Sequence, residues 1–158
     1  MSITNIQIED FARTLKLPII GVFSKDQLPW KKEIGSYYVN MEDADKGNGT
    51  HWVMFKIFKN HQVIYFDSFG FEMPKSVKEW LKPFAPIAIN KRQIQDINSQ
   101  LCGYYCLATD YYMTYDCKVK PNVYKKKDIF ECYDDYLNRW TIKTLDNDRL
   151  LKEYLTII

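Results

Sequence analysis

The segment between residues 51 and 67 constrains the fold more than any other part of the sequence. His51 to Phe58 alternates large apolar residues with others, and Val63 to Phe66 is a second apolar run. A polar stretch, Lys59-Asn60-His61-Gln62, separates the two. Alternation with a period of two is typical of a β-strand, and two such runs around a short polar stretch predict a β-hairpin. Its open end would carry His51 and Asp67.

The longest apolar run begins after a polar loop over residues 93–100. Gly103 to Tyr115 is apolar or aromatic on most faces of a helix, which predicts a buried central helix. Shorter segments predict helices over 6–17, 74–84, 127–136 and 143–154, and strands over 18–23, 35–40 and 87–89. Strands followed by helices indicate an α+β domain, with a central mixed β-sheet, the buried helix and flanking helices. The polar, glycine-containing segment 43–50 is predicted to be a loop.

The bulk composition is that of an ordinary globular protein. The 158 residues fit a single domain over 1–158. Lys and Arg number 22 against 20 Asp and Glu, and this net charge of +2 does not demand a nucleic-acid partner. The one basic cluster is Lys125-Lys126-Lys127, with Lys118 and Lys120 nearby. Such a run is usually a solvated face, and the alternative is a site for a polyanion.

The sequence carries no signal for export, membrane insertion or metal binding. Its polar first residues lack the pattern of a secretory signal, and the apolar stretches are far shorter than the roughly 20 residues of a membrane span. We therefore expect the four cysteines, Cys102, Cys106, Cys117 and Cys132, to be reduced thiols. They lack C-x-x-C spacing, and both histidines lie in a separate segment, so no structural metal is expected.

Four residues together match the needs of a thiol protease. Cys102 lies where the polar loop turns into the central helix, whose free N–H groups and dipole favour an anion. Gly103 follows, so no side chain crowds the sulfur. His51 and Asp67 would meet at the open end of the hairpin, as a base and its orienting carboxylate. Gln95 can turn an amide N–H towards the same point from the loop.

Each of these residues also has a simpler interpretation. A cysteine in an apolar helix is usually part of the core. A histidine at a strand end is usually a surface residue, and Asp67 before Ser-Phe-Gly could make a turn. Gln95 could be plain loop polarity, and Gln93 competes for its role. The joint arrangement is more specific than its parts.

Over residues 5 to 115 the sequence resembles adenain, the adenovirus-type processing protease, and related proteases of virophages and Polinton-like elements. The spacing of His-Trp, Asp-x-Phe-Gly, Gln and Cys-Gly along the chain is similar to that family. The order of the triad residues differs from papain, in which Cys comes first. The matching residues are Gly21 to Pro29, Tyr38-Val39-Asn40, Gly49 to Val53, Tyr65 to Gly70, Gln95 and Cys102 to Leu107.

The resemblance implies a role for each matching position. His51 would be the general base and acid, Asp67 the orienting carboxylate and Cys102 the nucleophile. Gln95 would line the oxyanion hole beside the Cys102 N–H. Trp52 and Gly103 would contact the substrate. The adenovirus enzymes typically have Glu where Asp67 stands, and this chain is shorter after the central helix.

The resemblance also implies a substrate class and a setting. We expect a cysteine endopeptidase that cleaves viral capsid or core precursors after small residues such as Gly, within the virion and the infected cell. No cofactor and no membrane partner are expected. An activating peptide or DNA is known for the adenovirus enzymes, but residues that bind either are not recognisable here.

Three other functions stay open at this point. A protease for ubiquitin-like proteins, a more distant relative, would also cut after glycine. A degenerate protease that serves as a binding module would lack turnover. A nucleic-acid-binding protein would use the Lys125–Lys127 run.

Overall fold

A mixed sheet of five strands forms the centre of the fold. The computed structural model describes residues 3–42, 51–117 and 128–157. The strands lie side by side in chain order: β1 Ile19–Ser24, β2 Gly35–Asn40, β3 Trp52–Ile57, β4 Val63–Phe66 and β5 Ile87–Ile89. The two outer pairs, β1 with β2 and β4 with β5, are parallel, and the inner pairs are antiparallel. The predicted mixed sheet of an α+β domain is therefore confirmed.

Helices cover both faces of this sheet. In the described ranges they are α1 Asn5–Thr14, α2 Lys75–Trp80, α3 Cys102–Tyr111, α4 Ile129–Leu137 and α5 Thr144–Ile157. A 3-10 turn, Lys82–Phe84, follows α2, and a π-helical turn, Tyr112–Asp116, continues α3. The predicted central helix is thus present, and its first residue is Cys102.

The predicted hairpin consists of β3 and β4. Its register pairs Met54 with Phe66 and Ile57 with Val63. The turn between them contains His61 at a φ of 65°, in the left-handed region that His tolerates better than most side chains. His51 lies directly before β3 and Asp67 directly after β4, so both are at the open end of the hairpin.

The strands β2, β3 and β4 are buried along their whole length because both faces of the sheet are packed. One face packs against α1, α3, α4 and α5, with Met54, Phe66 and Tyr105 in its core. The opposite face packs against α2 and the 3-10 turn, with Phe55 and Val77 in its core. Alternate residues of each strand therefore point to the two buried faces of the sheet, and α3 packs on the first face.

A buried ion pair attaches the far end of α3 to the sheet. Lys56 Nζ lies 2.9 Å from Asp110 Oδ1 and donates to Ser36 Oγ at 2.9 Å. The hydroxyl of Tyr38 donates to the other oxygen of Asp110 at 2.7 Å. Because every charge here has partners, removing one of them would cost about 3–5 kcal/mol. The network fixes where α3 lies and so where its first residue, Cys102, is held.

The expectation that all four cysteines are reduced thiols is wrong for two of them. Cys117 and Cys132 form a disulfide, with their Cα atoms 5.8 Å apart. Cys132 is on α4, which packs beside the π-helical turn that ends at Asp116. The two cysteines are 15 residues apart in the chain and meet only because these elements pack together, so their spacing in the sequence does not indicate the disulfide.

Two sequence predictions lie outside the described residues. These are the loop over 43–50 and the Lys125–Lys127 run. Among the residues that are described, no helix has the length and apolar character needed to cross a membrane.

Candidate active site

The structure brings the side chains of His51 and Asp67 together. His51 Nε2 lies 2.8 Å from Asp67 Oδ1. The carboxylate is fully buried and the imidazole is 15% exposed, so the pair is shielded from water on one side only. The antiparallel hairpin causes this contact because it brings the start of β3 beside the end of β4.

The backbone around Asp67 is fixed by its neighbours. Oδ1 also accepts the Phe69 N–H at 2.9 Å, which closes a tight turn after β4. The buried amide of Asn90 accepts the Asp67 N–H at 2.9 Å and donates to the Asp67 carbonyl at 2.5 Å. Asn90 follows β5 directly, and the parallel pairing of β4 with β5 brings the two residues to the same edge. Asn90 was not among the predicted site residues, because the sequence does not indicate which strand pairs with β5.

Cys102 lies beside this pair, at the first position of α3. Its sulfur is almost fully buried, and the residue is 3% exposed. The backbone N–H of Trp52, the residue after His51, donates to Sγ at 3.4 Å. An N–H directed at the sulfur and the start of a helix both stabilise negative charge there. The start of β3 and the residue before it therefore supply both a donor and an imidazole to the same sulfur.

The surroundings of His51 favour its charged form. Burial lowers the pKa, but the hydrogen bond and charge of Asp67 and the nearby Cys102 sulfur outweigh it and raise the pKa to about 9. Nε2 is committed to Asp67, and Nδ1 has no conventional hydrogen bond. Nδ1 is therefore the ring nitrogen left to face the sulfur. At neutral pH this arrangement places an imidazolium between a carboxylate and the Cys102 sulfur.

Gln95 is near the site, but its amide is directed elsewhere. The side chain is fully buried. Nε2 donates to the carbonyl of Ser99 at 2.9 Å and to its hydroxyl at 3.1 Å, while Oε1 accepts from Ser68 at 2.5 Å. Its role in an oxyanion hole stays a prediction, and it requires one of the Ser99 bonds to be exchanged. The exposed side chain of Gln93 donates to the Gln95 carbonyl.

Trp52 and Gly103 are both packed against Ile3. The Trp52 ring is buried, and its Nε1 donates to the Ile3 carbonyl at 3.0 Å. A Cβ on Gly103 would lie 2.0 Å from Cγ2 of Ile3, so only glycine lets that side chain approach so closely. Direct substrate contact through Trp52 and Gly103 stays a prediction. Ile3 closes one side of the site, a role that its position at the chain start did not suggest.

Two aromatic rings line the opposite, open side of His51. The ring of Phe69 lies 4.8 Å from the imidazole, and that of Phe71 lies 6.3 Å away. Phe71 is 54% exposed, which is unusual for a large apolar side chain. It also borders a groove of about 710 Å³ that contains Met73 and Ile89. The exposed edge of the site therefore has apolar side chains, beside a groove that Lys78, Lys82 and Lys91 also line.

Cys106 lies one turn after Cys102 and has a different character. It is fully buried, and burial followed by the nearby Cys102 raises its pKa well above that of an ordinary thiol. Its sulfur donates weakly to the Trp52 carbonyl at 3.5 Å. Cys106 therefore stays protonated and serves as a core residue. Within the described part of the chain, no group of three or more His, Cys, Asp or Glu side chains is placed to hold a metal ion.

Comparisons with known proteins give structural likenesses only. No protein-family model matches the sequence, and no curated protein matches it. Among solved structures, the chain is similar to one described as the ASFV pS273R protease, in its selenomethionine form. The two share 14% identity with a TM-score of 0.48, over 84% of this chain and 65% of that chain. A likeness at this identity concerns the fold and assigns no role to any residue.

Proposed function

We propose that this chain is a cysteine endopeptidase with Cys102 as nucleophile, His51 as general base and acid, and Asp67 as orienting carboxylate. The observation that carries the proposal is the contact of three elements at one point. The His51–Asp67 hydrogen bond of 2.8 Å lies beside a sulfur that begins a helix and accepts the Trp52 N–H. Covalent acyl transfer requires a nucleophile next to a base, and a third group that orients the base.

The first half of the reaction would form an acyl-enzyme. At neutral pH the thiol proton of Cys102 already resides on His51, and the sulfur attacks the carbonyl carbon of the scissile peptide bond as a thiolate. The carbonyl oxygen becomes an oxyanion, which the Cys102 N–H and Gln95 would stabilise. His51 then gives its proton to the leaving amine, and the C–N bond breaks to leave a thioester. The pKa of about 9 suits His51 for this last step because it carries the proton at neutral pH.

The second half would hydrolyse the thioester. With the amine product gone, neutral His51 takes a proton from water, and the hydroxide formed attacks the thioester carbon. The C–S bond breaks and the sulfur leaves as a thiolate, the acid product departs, and His51 keeps the proton taken from water, which restores the starting state. Asp67 holds the imidazole through Nε2, so that Nδ1 serves the sulfur in both halves.

We also propose that the substrates carry a small residue, such as glycine, before the cleaved bond. Cys102 is 3% exposed and Ile3 packs on the next residue, so the approach to the sulfur is narrow. The resemblance to adenain suggests viral capsid or core precursors, acted on in the virion and infected cell. A protease for ubiquitin-like proteins would share the glycine preference.

The test is cleavage of a candidate capsid precursor by wild type and by single variants. We expect cleavage by wild type and none by Cys102→Ala or His51→Ala. The matched controls are Cys106→Ala and His61→Ala, which we expect to cleave. Cleavage by Cys102→Ala at the wild-type rate would remove that sulfur from the mechanism.

Two further measurements separate the alternatives. Faster cleavage of a fluorogenic ubiquitin-like C-terminus than of the capsid precursor would favour the second protease class. A folded wild type that cleaves neither substrate, and whose Cys102 does not react with a peptide-based thiol probe, would indicate a binding module.

A further inference from the structure

A chain of hydrogen bonds links α5 to the amide of Gln95. The carboxylate of Asp148, on α5, accepts the Ser99 hydroxyl at 2.9 Å. That hydroxyl in turn accepts one hydrogen of the Gln95 amide at 3.1 Å. At its other end the amide oxygen accepts the hydroxyl of Ser68, the residue next to Asp67. The chain therefore spans the loop before Cys102 and ends beside the base.

The Asp148 carboxylate and the Ser99 carbonyl together fix the direction of the bonds in this chain. An ionised carboxylate can only accept, so the Ser99 hydroxyl spends its single hydrogen on Asp148. Towards Gln95 the Ser99 hydroxyl oxygen can then only accept a hydrogen bond. The same is true of the Ser99 carbonyl oxygen. The Gln95 amide must therefore present Nε2 to Ser99 and Oε1 to Ser68. An amide turned the other way would offer no hydrogen to an oxyanion on the Ser99 side.

Asp148 is itself held firmly in place. Its Oδ1 also accepts the hydroxyl of Tyr105, one turn after Cys102, at 2.8 Å. Burial and the nearby Asp148 raise the pKa of Tyr105, so the phenol keeps the hydrogen that it donates. The neighbouring Asn147 is buried and donates to the Ile94 carbonyl at 2.8 Å. Helix α5 is thus hydrogen-bonded both to the loop before Cys102 and to the first turn of α3.

We propose that Asp148 is a positioning residue for the oxyanion side of the site, acting through Ser99 to keep the Gln95 amide in its donating orientation. The inference rests on the proposed function. In the resting enzyme both amide hydrogens belong to Ser99. When the oxyanion forms, the longer bond, to the Ser99 hydroxyl, is exchanged for it, and the bond to the Ser99 carbonyl continues to hold the amide.

The experiment compares Asp148→Asn with Asp146→Asn, an exposed aspartate on the same helix. Asparagine at 148 removes the negative charge that attracts the Ser99 hydroxyl hydrogen. This weakens one of the two contacts that hold the Gln95 amide, while the Ser99 carbonyl keeps the other. We expect kcat to fall about tenfold with KM unchanged, which is less than the roughly 10²–10³-fold cost of losing an oxyanion donor. Asp146→Asn should behave as wild type.

Two probes of Cys102 distinguish positioning from a merely structural role. A peptide aldehyde forms a tetrahedral adduct whose oxygen needs the oxyanion donors, so its affinity should weaken with kcat in Asp148→Asn. Alkylation by iodoacetamide forms no oxyanion, so its rate should be unchanged. In a Gln95→Ala background, Asp148→Asn should cause no further loss of kcat, since the amide that it positions is gone.

The outcomes are separable. An active wild type whose Asp148→Asn variant keeps full kcat and aldehyde affinity would overturn the inference and leave the proposed function standing. A tenfold loss that persists without Gln95, or that extends to alkylation, would also overturn it. If Asp148→Asn does not fold, Ser99→Ala replaces it, because it keeps the Asp148–Tyr105 bond and should give the same selective loss. A wild type without turnover would instead contradict the proposed function.

Discussion

The two sides of the candidate site differ in how ready they are for the reaction. On the base side, His51 already contacts Asp67 at 2.8 Å, and Asn90 holds the Asp67 backbone from both directions. On the oxyanion side, both hydrogens of the Gln95 amide are bound to Ser99. The base side can work as it stands, whereas the oxyanion side has to exchange a hydrogen bond first.

This difference follows from the elements that carry the residues. The base side is built on β3, β4 and β5, whose ladders fix the backbone on each side of the pair. The oxyanion side is a loop before α3, and side-chain bonds to Ser68, Ser99 and α5 hold it. A ladder has no alternative partners, whereas a buried amide can choose between several acceptors. Substitutions on the two sides should therefore affect different steps.

Among changes that leave Cys102 and His51 in place, the largest effect is expected from Gln95→Ala. Removing an oxyanion donor costs about 10²–10³-fold in kcat, and we expect a loss of that size here. The rate of Cys102 alkylation by iodoacetamide should stay near that of wild type, because the His51–Asp67 pair is untouched. Peptide turnover and alkylation are measured on the same sample.

The matched control is Gln93→Ala, an exposed glutamine two residues away. It should keep its turnover. If Gln93→Ala lost activity and Gln95→Ala did not, the oxyanion role would belong to Gln93. Equal losses of turnover and alkylation in Gln95→Ala would show instead that the two sides are not independent.

Asp67→Asn should have a smaller effect that depends on pH. The carboxylate helps to raise the pKa of His51 from 6.5 to about 9, so wild-type kcat/KM should fall as pH rises through about 9. Without that charge the pKa falls, and the alkaline limb should move to lower pH. If the pKa returns close to its ordinary value, roughly one tenth of the molecules carry the proton at pH 7.5, so we expect about a tenfold loss there.

The pH profile itself is the measurement. At pH 6 the loss should be smaller, because His51 is again protonated in most molecules. Asp134→Asn, an exposed change on α4, should leave the limb in place. An Asp67→Asn variant whose alkaline limb matched that of wild type would mean that Asp67 does not set the charge of His51.

The smallest effect on turnover is expected from Asn90→Ala. This change leaves the buried N–H and carbonyl of Asp67 without their partner, which should lower the free energy of unfolding by about 1–3 kcal/mol. Turnover should fall less than in Asp67→Asn, because β4 still ends at the same place. Urea unfolding and peptide cleavage check the two effects, with the exposed Asn138→Ala as control. An unchanged free energy of unfolding would show that the two Asn90 hydrogen bonds do not stabilise the fold.

Much of the base side could be predicted from the sequence because it depends on local pattern. The alternation after His51 and the short polar turn predict the hairpin, and a hairpin of that length places His51 and Asp67 at one end. The apolar run after Cys102 likewise predicts a buried helix that starts at the sulfur. Asn90 could not be predicted, because its contact depends on parallel pairing between β4 and β5 across the segment that contains α2.

The sequence by itself determined the sheet-and-helix class, the hairpin and the candidate residues His51, Asp67, Gln95 and Cys102, because strand period, turn residues and helix length are local properties of the chain. Only the tertiary structure decided the Cys117–Cys132 disulfide, the packing of Ile3 on Gly103 and the partners of the Gln95 amide. Each of these joins segments that are distant in the chain or selects one hydrogen-bond partner among several. Such choices depend on how whole elements pack, which no local pattern records.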